Sequence, residues 1–175
     1  QTRAALERWL AATLPEGSDP RVESLDVPES NGMSSETVLF DASWVTDGTR
    51  EVHELVARIA PEESSVPVFE NYDLDAQFKV MAKVRELSDV PIPEVHWLEE
   101  DPAAIGAPFF IMSRAVGQVP PDVMPYNFGD SWLFDASADE QRRLEESTVE
   151  ALATLHGIGD PEVHFAFLAS DAEGD

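Results

Sequence analysis

Apolar residues recur along this chain with two spacings, and the spacings separate helices from strands. Leu6, Leu10 and Leu14 stand four apart within Thr2–Leu14, which predicts a short amphipathic helix ended by the Pro- and Gly-bearing stretch 15–20. Val22–Val27 predicts a strand, with Leu25 and Val27 apolar. Glu29-Ser30-Asn31-Gly32 is a tight-turn signal. Thr37–Val45 predicts a second strand, Asp47-Gly48 a hairpin turn, and Glu51–Ala60 a third strand carrying Leu55, Val56 and Ile59.

Residues 61–67 read as a polar connection. Leu74, Phe78, Met81 and either Val84 or Leu87 lie near helical spacing and predict a helix over Leu74–Leu87. Pro91-Ile92-Pro93 stops it and feeds a strand, Glu94–Leu98. Phe109–Ser113 is a short apolar run without alternation, which suits a strand buried on both faces. Gly117–Gly129 is rich in Pro and Gly and reads as irregular. Ser137 with Glu140 matches a capping box for a long helix, Ala138–His156. Leu144, Thr148, Ala151, Leu152 and Leu155 are its expected buried stripe. The order is helix, three strands, helix, two strands, linker, helix. Such an order fits an α+β fold with one small, mostly antiparallel sheet, because strand–helix alternation is too sparse for a doubly wound one.

Composition narrows the partners. The chain has 35 Asp and Glu against 11 Lys and Arg, a net charge of -24. That field repels nucleic-acid phosphates and anionic lipid, so neither is an expected partner. The acidity reads as a strongly solvated surface, with steering of a cationic substrate as the alternative. Cys is absent, which removes disulfides, thiolate zinc sites and Cys nucleophiles and fits a reducing compartment. No signal peptide opens the chain and no apolar run reaches the length of a membrane span, so a soluble cytoplasmic protein is expected. Gln1 at the start and the acidic stretch Ser170–Asp175 at the end read as cut ends. His53 and His96 read as surface or packing residues, and His156 as a helix-end His. No pair of histidines has zinc-ligand spacing. Trp44, Trp97 and Trp132 read as core.

Three segments could carry chemistry. The turn Ser30–Thr37 places Gly32, Met33, Ser34 and Ser35 between two strands, where a small residue and hydroxyls can face an anion. Such a turn is also an ordinary hairpin. Arg58 stands in the apolar strand Leu55-Val56-Ala57-Arg58-Ile59, on the face of Val56. A cation there needs a partner, or it reaches water from an edge strand. Phe109–Gly117 is a buried strand running into a Gly-ended connector, whose freed backbone groups could meet a flat ring or simply exit the sheet.

Taken in series, these segments resemble the aminoglycoside phosphotransferase family of kinase-fold enzymes. Gly32–Ser35 resembles its loop over the ATP phosphates, and Arg58 its phosphate-pairing strand cation. Val90-Pro91-Ile92-Pro93-Glu94-Val95 is similar to its V-P-x-P-x-V entry into the fourth strand. Residues 106–117 resemble the next strand and adenine hinge, which implies that the Ser113 carbonyl and Ala115 N–H bind the adenine edge. Ala151–His156 is similar to the A-L-x-x-L-H that closes the first large-lobe helix. Tyr72-Asp73-Leu74, Gln77-Phe78, Pro120-Pro121-Asp122 and Met124-Pro125-Tyr126 resemble a narrower branch, some of whose relatives are fused to acyl-CoA dehydrogenases.

The resemblance implies a kinase-like N-lobe over 1–112, of about five antiparallel strands with a packed helix. A hinge and linker over 113–137 and the start of a helical C-lobe over 138–175 follow. It implies ATP with Mg²⁺, and transfer of the γ-phosphate to a hydroxyl of a small molecule. Gln77 stands where the family's helix offers a Glu to the strand cation; Gln can hydrogen-bond a guanidinium without charge. No H-G-D-x-x-x-x-N or following I-D-x-E-like strand occurs after His156, so no catalytic residue is assigned and the Mg²⁺ ligands are expected downstream, in a C-lobe outside this chain. The alternative is a non-catalytic nucleotide-binding or protein-interaction module.

Overall fold

The computed structural model describes residues 2–27, 36–61, 73–120, 129 and 131–169. The chain divides into two compact units, one drawn from Gln1–Ala82, Pro93–Arg114 and Phe167–Asp175, the other from Lys83–Ile92 and Ala115–Ala166.

In the first unit, helix α1 (Thr2–Thr13) precedes strands β1 (Arg21–Asp26), β2 (Glu36–Thr46) and β3 (Thr49–Ile59). Helix α2 (Leu74–Leu87), which runs on into the second unit, precedes β4 (Val95–Glu99) and β5 (Phe109–Ser113). The five strands form one sheet in the order β1-β2-β3-β5-β4, and every neighbouring pair is antiparallel. The β2–β3 hairpin closes on Thr46 opposite Thr49. Asp47 (φ 50°) and Gly48 (φ 80°) both take positive φ, which a two-residue turn matching the twist of its strands requires.

Side-chain alternation gives this sheet two different faces. Leu55, Ala57 and Ile59 of β3, Val38, Phe40 and Ala42 of β2, and Phe109 and Ile111 of β5 form one face. Leu6, Trp9 and Leu10 of α1 pack into it. Trp9 meets Phe109 edge-on with ring centroids 4.9 Å apart, and its indole N–H donates to Glu99 Oε2 at 2.8 Å. The opposite face carries Val56, Arg58 and Phe110, and Phe110 meets Phe78 of α2 edge-on at 6.0 Å. The uninterrupted apolar run of β5 is thus explained: Phe109 and Ile111 fill the α1 side and Phe110 the α2 side, all fully buried.

The second unit contains α3 (Trp132–Asp135), α4 (Ala138–His156) and α5 (Pro161–His164). The capping box at Ser137 and Glu140 is present. Ser131 caps α3, its Oγ accepting from Phe134 N–H at 3.1 Å, inside a span expected to be linker. Pro161 opens α5 at the position where its missing N–H costs no hydrogen bond.

Two expectations are corrected in this unit. No residue of α4 is buried: Leu144 is half-buried, while Thr148, Leu152 and Leu155 are exposed. Periodicity marks the apolar stripe of a helix but not whether anything covers it. Among the described residues of this unit, α3 meets the first turns of α4, where Gln141 Nε2 donates to the Leu133 carbonyl at 2.8 Å. Trp132 is likewise exposed, and its indole N–H donates to the Val119 carbonyl at 3.0 Å.

Candidate functional site

The face bearing α2 holds the sequence-predicted cation. Arg58 is half-buried on β3, opposite Thr37 of β2 and Phe110 of β5. Partners directly opposite in register share a face, so Arg58 stands with Phe110 on the α2 side. Gln77 immediately precedes Phe78 on α2 and is half-buried, its backbone N–H donating to the Asp73 carbonyl at 3.2 Å. Asp73 opens this helix, its Oδ1 accepting from Ala76 N–H at 2.8 Å. The predicted phosphate loop, Gly32, Met33, Ser34 and Ser35, lies outside the described residues.

Ser113 ends β5. Its N–H donates to the Glu94 carbonyl at 2.8 Å, and its hydroxyl hydrogen-bonds His96 Nε2 at 2.8 Å. Ala115, the other predicted adenine contact, is exposed just beyond the strand. Between them stands Arg114, which the sequence reading did not single out. Its N–H donates to the Glu54 carbonyl at 3.0 Å. Its guanidinium pairs with Asp41 Oδ1 and Glu54 Oε1, both at 2.6 Å. Asp41 is held in turn by the Ser24 hydroxyl, which donates to Oδ2 at 2.7 Å. Strand register brings this group together: Asp41 and Glu54 are direct partners across β2 and β3. The hydrogen bond from Ser24 and the Arg114 charge hold the Asp41 carboxyl below its ordinary range. Glu54, then Asp41, push the Arg114 guanidinium further up.

His53 behaves differently. It stacks on Trp44 with ring centroids 3.6 Å apart, and its Nε2 is buried without a hydrogen-bond partner. Burial lowers its pKa; Glu51 opposes the shift and His96 adds to it. Among the described residues, no three His, Asp or Glu side chains converge to hold a metal ion. Also among the described residues, no helix is long and apolar enough to cross a membrane.

An antiparallel five-stranded sheet with a helix packed on one face matches the N-terminal lobe of the aminoglycoside phosphotransferase kinase-like fold. The chain belongs to the phosphotransferase enzyme family APH, whose model matches residues 35–172. It is similar to an Arabidopsis thaliana protein named probable acyl-CoA dehydrogenase IBR3, 32% identical over 83 residues, which are 47% of this chain and 9% of that protein. It also shares its fold with a crystal structure assigned as an aminoglycoside phosphotransferase from Ralstonia eutropha, with a TM-score of 0.53 and 22% identity. That match covers 92% of this chain and 39% of the other. The chain therefore spans well under half of either relative.

Proposed function

We propose that this chain is the ATP-binding portion of a kinase that transfers the γ-phosphate of ATP to a hydroxyl of a small molecule. The observation that carries the reading is the placement of Arg58 on the α2 face of the sheet, within the span that matches the family. A guanidinium there is a permanent cation with a planar fork of donors suited to phosphate oxygens. Gly32–Ser35 would cover the phosphates. Gln77 would support Arg58 by a neutral hydrogen bond. The Ser113 carbonyl and Ala115 N–H would hold the adenine edge, as the resemblance implies. Catalysis in the whole enzyme would be positioning and charge neutralisation, with the acceptor-orienting Asp and the Mg²⁺ ligands supplied by its large lobe. The net charge of -24 argues against nucleic acid and anionic membrane as partners, and the absence of Cys suits a cytoplasmic setting.

A second reading, nucleotide binding without transfer, is favoured by the neutral Gln77 at the place where the family offers a Glu. Thermal-shift titration with ATP·Mg²⁺ and GTP·Mg²⁺ tests the shared core of both readings. The wild type should be stabilised by ATP·Mg²⁺, and Arg58→Ala should lose most of that stabilisation. A folded wild type that responds to neither nucleotide would sink the assignment.

A further inference from the structure

Arg114 gathers bonds from several strands. One guanidinium takes two carboxylates, and Glu54 binds the same residue twice, through its carbonyl and its side chain. Ser24 extends the chain of bonds to β1, so three strands converge on the single residue that follows β5. The Arg114 and Asp41 side chains are less than a third exposed, and the Glu54 side chain is 56% exposed. Solvent screens the half-exposed Glu54 carboxylate, so that pair adds less to global stability than the Asp41 pair does. Their consequence is local. The backbone of Arg114 is fixed at both its N–H and its side chain, immediately beside Ser113 and Ala115.

We propose that Arg114 is a positioning residue for the nucleotide base. Its pairing with Asp41 and Glu54 holds the exit of β5 so that the Ser113 carbonyl is presented in a fixed place to a planar purine-type ring. This rests on the nucleotide reading above. Preorganised donors and acceptors bind more tightly because less ordering is left to be done on binding. Arg114 touches no phosphate in this scheme, so its effect must follow the base and not the charge of the ligand.

The test uses the full chain and three probes in calorimetric titration: ATP, adenosine and inorganic tripolyphosphate. Arg114→Ala should weaken adenosine and ATP by about tenfold while leaving tripolyphosphate unchanged. Arg114→Lys should recover part of the loss, because an ammonium can pair one of the two carboxylates. The double variant Asp41→Asn with Glu54→Gln keeps side-chain shape and should reproduce the Arg114→Ala pattern, which covers the case that Arg114→Ala does not fold. Equal weakening of all three probes would overturn the proposal in favour of a general structural loss. Unchanged adenosine binding in folded variants would overturn it as well, with the nucleotide reading intact. A wild type that binds neither adenosine nor ATP would remove the nucleotide reading, and this proposal with it.

Discussion

Leu10 and Leu152 both sit on the apolar stripe of a helix, yet the structure assigns them opposite weight. Leu10 is fully buried between α1 and the sheet, whereas Leu152 on α4 is 52% exposed. Leu→Ala removes three carbons. At about 0.8 kcal/mol for each buried methylene, the transfer contribution at Leu10 is roughly 2.4 kcal/mol. The cavity left among Leu6, Trp9 and the β-strand side chains raises the cost to about 3–4 kcal/mol. At Leu152 half of the side chain already meets water and Ala is the better helix former, so the cost is about 1 kcal/mol or less. Urea unfolding measures both. In a Trp132→Phe background, tryptophan fluorescence follows the first unit, where Trp9, Trp44 and Trp97 lie, and far-ultraviolet circular dichroism follows the helices. Leu10→Ala should lower the fluorescence midpoint by about 1.5–2 M urea. Leu152→Ala should leave that midpoint in place. Equal shifts for the two variants, or a Leu10→Ala midpoint matching wild type, would refute the assignment of α1 to the core.

Gly48→Ala should destabilise the β2–β3 hairpin by about 1 kcal/mol, read as a lower urea midpoint. No atom crowds a Cβ at that site, so the whole cost comes from its positive φ. His53 gives a pH dependence of defined sign. Its folded pKa lies below the ordinary value of 6.5, so its stabilising contribution is complete above about pH 6.5 and lost as pH falls through the folded value. His53→Phe keeps a ring against Trp44 without titrating. Wild type should therefore lose more stability than His53→Phe as pH falls below about 6.5, and parallel pH profiles would show that the imidazole is not the cause.

Local signals made most of the fold legible in the sequence. Pro91 and Pro93 marked the end of α2, Asp47-Gly48 the hairpin, Ser137 and Glu140 the start of α4, and the unbroken apolar run the central place of β5. Strand parity alone put Arg58 on the face of Val56. What the sequence hid depends on partners distant along the chain. Arg114 meets Asp41 and Glu54 only because β2, β3 and β5 pair in one register, and none of the three residues is unusual by itself. The exposed stripe of α4 is the converse case, since a helical pattern announces an apolar face without saying what covers it.

Nucleotide binding at the α2 face and the exit of β5 has a direct test. The most direct measurement is NMR titration of the full chain with ATP·Mg²⁺. The amide signals of Ser113, Arg114 and Ala115 and the Arg58 side-chain signal should move together. The Trp9 indole N–H, bonded to Glu99 on the α1 side of the sheet, should stay in place. A saturating titration that moves Trp9 and leaves residues 113–115 unchanged, or moves nothing, would contradict it.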